Sequence, residues 1–315
     1  MINQFAQMTL LDKGIFGPFR VFWVDPANGS DQRSGITPDE ALATLGEAHN
    51  RCTAGMNDVV VLVSDGSITG TARLSTTLTW SKNATHLIGV GAPSMNNRAR
   101  IAQLSGATAV AAFVVVTASG CIFKNFSVFN DMAIAGQITW DDQAGRNYYE
   151  DVFLGGMGDA TSAHSTTSRV LRLGGASAAG ENIFRRCTIG LDTSLGAGRD
   201  VANATIEFSG GSKRNRFEDC FFDISAKATT ALHIISSGVN PLETFQMFNR
   251  CIFHNPYPHS SASLMAAVAT LAANGNGRLI MNDCKRYGAT KWGTDATSTA
   301  QIYENPANGI GLVAT

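Results

Sequence analysis

One hydrophobic and polar phrase recurs down the chain: an apolar residue, two polar ones, a small or apolar residue, any residue, then a second apolar residue. It occurs at Phe123–Val128, Tyr149–Leu154, Phe184–Ile189, Phe217–Phe222 and Phe248–Phe253, and again at Met281–Arg286, where the final apolar residue is lost. Counted at the fourth position, successive copies lie 26, 35, 33, 31 and 33 residues apart. A second phrase, alternating apolar residues, precedes several copies: Leu171-Arg172-Leu173-Gly174-Gly175, Ile206-Glu207-Phe208-Ser209-Gly210 and Leu232-His233-Ile234. Two period-two strands per repeat, separated by Gly, Asn and Ser turns, leave no room for a helix in each unit. The pattern predicts a β-solenoid. Leucine-rich repeats are shorter and carry a fixed Leu and Asn pattern missing here, and propeller blades need about 40 residues or more.

Stacking the repeats about 4.8 Å apart turns each phrase position into a column. The fourth position reads Phe126, Val152, Cys187, Cys220, Cys251, Cys284. Cysteines sharing a column with apolar residues are expected to be buried free thiols that act as small hydrophobes. The two polar positions alternate in sign from rung to rung, as Glu150/Arg185/Glu218 and as Asp151/Arg186/Asp219/Arg250/Asp283, and Arg172, Glu207 and His233 are read as outward positions of the second strand. Opposite charges on adjacent strands contribute roughly 0.2–1 kcal/mol per pair and penalise a slipped register. They also hold carboxylates ionised, whereas glycoside cleavage needs converging carboxylates with one pKa raised. The acids outside these columns, Asp159, Asp192 and Asp223, stand 7, 5 and 3 residues beyond the fourth position and share no column.

Ahead of the repeats, Thr37-Pro38-Asp39-Glu40 reads as a helix start, with Thr37 as N-cap and Pro38 at the first helical position. Ala41, Leu42, Leu45 and Ala48 form an apolar stripe and Gly55 a stop, so this helix is expected to cover the open end of the solenoid. The chain divides into an N-terminal arm (1–20), a lead-in segment with the capping helix (21–57), a parallel β-helix (58–287) and a C-terminal tail (288–315). Phe5, Leu10, Leu11, Ile15 and Phe19 make the arm too apolar for a free tail and mark it as a segment that binds a partner or folds back onto the same solenoid.

Composition narrows the function classes. Of the 315 residues, 24 are basic and 25 acidic, which argues against a nucleic-acid partner, whose phosphates demand a clustered basic excess. No run of apolar residues approaches the ~18 of a membrane span, and Met1–Arg20 shows no secretory pattern. No cofactor or metal is expected: Asp25, Asn28 and Asp31 read as a turn rather than a calcium loop, Gly155–Gly158 lacks a strand-to-helix setting, and His254 with His259 reads as a loop coincidence. Trp23, Trp80, Trp140 and Trp292 share no repeat position and are read as packing residues.

Phe22-Trp23-Val24-Asp25-Pro26-Ala27-Asn28-Gly29-Ser30-Asp31, the helix, and Gly55-Met56-Asn57-Asp58-Val59-Val60-Val61 resemble the start of a pectin-lyase-like, right-handed parallel β-helix. The resemblance runs to about residue 286. Leu87–Pro93 followed by Asn97–Ile101 looks most like the versions carried by tailed bacteriophages. It implies an all-β, single-domain solenoid with a short N-terminal capping helix. It further implies a non-enzymatic virion protein assembled in the host cytoplasm, which decorates or cements the shell as a homotrimer against the major capsid protein. The alternative is a tailspike-type protein that binds and cleaves bacterial surface polysaccharide.

Overall fold

A computed structural model of the chain describes residues 19–313 apart from 96, 176–179, 192–200, 227, 257–263, 273–276, 296, 298–300 and 306–311. The fold is the expected right-handed parallel β-helix: three sheets, each built from every third strand. Sheet A begins with Val21–Val24 and Val59–Val63, runs through the aromatic phrases, and ends with Ile302–Asn305 and the antiparallel Leu312–Val313. Sheet B comprises Ala72–Leu74, Arg100–Gln103, Ser127–Phe129, Phe153–Gly156, Thr188–Leu191, Phe221–Asp223, Ile252–His254 and Lys285–Tyr287. Sheet C runs from Leu78–Trp80 to Ala289–Gly293. The sheet A ladder therefore extends on both sides of the 58–287 span.

Three stacks fill and frame the interior. Phe123, Tyr149, Phe184, Phe217 and Phe248 overlap face to face, with ring centroids 4.9, 4.3, 4.7 and 4.6 Å apart. Beside them, Cys187, Cys220 and Cys251 are buried and Cys284 is half-buried, all as free thiols. Burial, together with the neighbouring Cys187 sulfur, pushes the Cys220 thiol pKa up. At the corner between sheets C and A, each side-chain carbonyl accepts the backbone N–H of the preceding rung: Cys121 N donates to Asn147 Oδ1 (2.9 Å), Asn147 N to Asn182 Oδ1 (2.8 Å), Asn182 N to Asn215 Oδ1 (3.1 Å) and Asn215 N to Gln246 Oε1 (3.2 Å). The corner is buried, and side chains supply the acceptors that water supplies to an exposed turn.

Three readings of the sequence change. Asp151, Arg186, Asp219, Arg250 and Asp283, with Asn125, are corner residues rather than strand positions. Each opens the two-residue turn from sheet A to sheet B, with φ between 50° and 56°. Asn and Asp tolerate this left-handed conformation best, and the arginines among them are tied to the acids of the preceding rung. His233 does not share the rung position of Arg172 and Glu207: Arg172 pairs with Glu207 and Glu207 with Ile235, and His233, two residues earlier, is fully buried with its ring 5.4 Å from that of Phe253. The capping helix is split. Pro38–Glu40 is a 3-10 turn, and helix α1 (Leu45–Arg51) starts at Thr44, whose hydroxyl accepts from Glu47 N, while Thr37 makes no side-chain cap bond. The break occurs because Leu42 bridges to the first strand, donating to Trp23 O (2.8 Å) and accepting from Asp25 N (2.9 Å).

Leu42, Leu45, Ala48 and Cys52 close the N-terminal end of the core. At the other end Arg286 is in register with the buried Phe253, and its guanidinium lies 5.2 Å over the ring of buried Trp292. Of the proposed arm contacts, Phe19 packs against Val59, Val61, Ile88 and Ile122 of this same chain. Phe5, Leu10, Leu11 and Ile15 lie outside the described residues.

Candidate active site

Each strand of sheet B leaves a corner, sends its first and third residues outward and its second into the core. Phe222 and Phe253 are the inward residues of two neighbouring strands, both fully buried. The third residues form a column, Phe129, Gly155, Gly190, Asp223, His254 and Tyr287, in continuous register. Asp223 Oδ1 and His254 Nδ1 are 2.9 Å apart, with side chains 27% and 35% exposed. The Phe221 ring lies 5.5 Å from the imidazole on one side and Tyr287, half exposed, 6.5 Å on the other. Half-buried Ile252 and exposed Lys285 complete the outer face of these last rungs.

The carboxylate accepts from Nδ1–H and orients the ring, which leaves Nε2 as the proton-accepting nitrogen. A histidine so held is equipped to act as a general base. Aromatic rings on both sides give a ring-shaped ligand apolar surface beside that polar centre. The sequence reading treated Asp223 as an isolated acid and His254 as a loop residue. Both stand three positions beyond a cysteine of the column, Cys220 and Cys251, and that shared offset is the sequence signal that joins them.

The other acids serve structure. Asp159 caps helix α2 (Ala160–Ala163), accepting from Thr161 N at 2.7 Å. Asp192 and His259 lie outside the described residues. Arg186 grips Asp151 through two bonds of 2.8 and 2.9 Å and reaches Glu150 at 2.9 Å, and Arg250 grips Asp219 at 2.7 and 2.8 Å. The Arg250 hydrogen bonds hold the Asp219 carboxyl below its ordinary pKa. Asp283 ends that corner column, next to Arg250. Asp25 and Asp31 bind backbone N–H groups, and among the described residues no cluster of three or more His, Cys, Asp or Glu is placed to hold a metal. Trp80, Trp140 and Trp292 are fully buried.

No family model and no curated protein matches this sequence. Solved structures do. Pectin methylesterase PemA from Erwinia chrysanthemi superposes with a TM-score of 0.55 at 13% identity, over 92% of this chain and 89% of that one. A pectin methylesterase in complex with a hexasaccharide gives 0.54 at 14% identity, with the same coverage. A Geobacillus virus E2 protein, ORF18, gives 0.46 at 13% identity over 90% of this chain and 51% of that one. The chain thus has the pectin-lyase-like fold, the form shared with these pectin methylesterases. The expectation of a non-enzymatic, capsid-decorating virion protein is corrected by these matches, since both structures that superpose with a TM-score above 0.5 are named as pectin methylesterases.

Proposed function

We propose that the protein is a polysaccharide-acting enzyme that binds a glycan strand along the outer face of sheet B and cleaves it, or an ester on it, by general-base catalysis at His254. The observation that carries this reading is the Asp223–His254 hydrogen bond between neighbouring rungs, on an open face flanked by Phe221 and Tyr287. His254 Nε2 takes a proton from an attacking water or from a carbon acid of the sugar, and Asp223 holds the ring and stabilises the imidazolium that forms. Two-carboxylate glycoside hydrolysis fits less well, because Asp151 and Asp219 along this edge are clamped by arginine. The shared scaffold with chains named as pectin methylesterases is in keeping with a polysaccharide substrate.

The test is turnover on a panel of pectins and bacterial surface polysaccharides, followed by unsaturated product, new reducing ends and released alcohol or acetate. His254→Ala should lower kcat by roughly 10²–10⁴-fold with little change in melting, and Asp223→Asn should lower it less. Absence of turnover on every substrate, or full activity in His254→Ala, would remove the reading.

A further inference from the structure

We infer that a second, separate site, a cleft of about 170 Å³ where sheet A turns into sheet B, binds one neutral sugar ring. It is lined by Pro93, Ser94 and Met95 on one side and by Asp151, Phe153, Arg186 and Thr188 on the other. The inference takes from the proposed function only that the ligand is a glycan.

The cleft exists because one corner is unlike the rest. Between His86–Val90 and Arg100–Gln103 the chain makes a loop instead of a two-residue turn. The loop is fastened to the corner stack from within: Asn97 Nδ2 donates to Asn125 O (3.1 Å) and Oδ1 (2.8 Å), and Asn125 Nδ2 donates to Gly89 O (3.0 Å) and Gly91 O (3.1 Å). Anchored there, Pro93–Met95 overhangs later rungs and forms a wall across from Asp151 and Arg186.

The donor set fits hydroxyl groups. The bonds from Arg186 to Asp151 and Glu150 use Nε and Nη2, which leaves Nη1 as the remaining donor edge of the guanidinium. The Asp151 oxygens retain lone pairs beyond those bonds. A donor and an acceptor side by side, with the Ser94 and Thr188 hydroxyls, suit adjacent sugar hydroxyls that both give and accept. Exposed Met95 and buried Phe153 supply the apolar surface for the C–H face of the ring.

Charge and size decide which sugar. The two charged residues that line the cleft, Arg186 and Asp151, pair with each other, so its wall carries no positive excess for a uronate or a phosphate. The volume is below the ~300 Å³ at which sites for larger ligands begin, which limits the cleft to one ring. Thr188 is in register with Phe221, so the subsite lies one rung from the Asp223–His254 pair.

Saturation-transfer NMR with methyl glycosides of neutral hexoses, and of a hexuronate, as probes tests this directly. Neutral glycosides should show transfer and the hexuronate markedly less. Thr188→Val, a half-buried position with no backbone demand, should weaken neutral binding at least tenfold, and Asp151→Asn should do the same. His254→Ala should leave this binding intact while sharply lowering kcat, so the two sites fail independently. Preference for the hexuronate, or unchanged binding in Thr188→Val, would overturn the assignment.

Discussion

The Tyr149 hydroxyl donates a 2.7 Å hydrogen bond to Asp142 Oδ2 inside the solenoid, where neither side chain has any solvent exposure. Trp140 Nε1 donates to the same hydroxyl (3.2 Å), and Asn147 Nδ2 and Ala144 N donate to the carboxylate. Burial raises the Asp142 pKa to about 6 against these bonds, which act to lower it. A carboxyl whose folded pKa lies above its unfolded value takes up a proton on folding. Its contribution is fully present below about pH 4 and is lost as pH rises through 6, by at most about 3 kcal/mol for a shift of two units. Asp142→Asn should therefore gain stability relative to wild type between pH 5 and pH 8, measured by urea denaturation. Parallel pH profiles for the two proteins would count against a carboxyl perturbed in this way.

His49 and His86 act in the opposite direction at the N-terminal end. Burial lowers both pKa values to about 4, with Lys82 assisting at His49 and Asp58 opposing at His86. Both rings accept backbone N–H groups, His49 Nε2 from Ser81 (3.0 Å) and His86 Nδ1 from Ile122 (3.0 Å), and neither nitrogen can do so once protonated. Their contribution is present above pH 6.5 and is lost as pH falls toward 4, by up to about 3 kcal/mol each. Hydrogen exchange at the Ser81 and Ile122 amides should accelerate on acidification, earlier than at amides of the central rungs. Uniform acceleration along the solenoid would contradict a local origin.

Asn215→Ala removes the acceptor for Asn182 N and two donor bonds, to Ser212 and Gln246. Leaving a buried N–H unpaired costs about 1–3 kcal/mol, and a drop in the urea midpoint of that order is expected. A neutral outcome would mean that the ladder is decorative.

Thiol reactivity should follow burial. With Ellman's reagent and no reductant, Cys284 should react first in the native protein, and six thiols should appear in denaturant. A disulfide among Cys187, Cys220, Cys251 and Cys284 would break the column.

Periodicity alone was enough to place the cysteine and aromatic stacks, because an apolar residue that must face the core cannot drift by one without flipping its strand. Corners were misread for a related reason. Asp151 and Arg186 sit one residue from the strand in sequence, and a hydropathy pattern does not distinguish an outward strand residue from one with positive φ. Leu232-His233-Ile234-Ile235-Ser236 fits two registers equally well, and only pairing with Ile206 selects the second. The Asp223–His254 pair is legible in sequence only as an equal offset from two cysteines of one column, because an acid and a histidine share no hydropathy or charge pattern that would link them. Asp142 gave no sequence signal, since its burial depends on a neighbouring rung.

A ladder of parallel strands has no inherent reason to stop, and every exposed last rung is a template for another. Arg286 works as a terminator. A chain with leucine at that position would offer an apolar cross-section at the end of sheet B, and end-to-end association is its expected consequence.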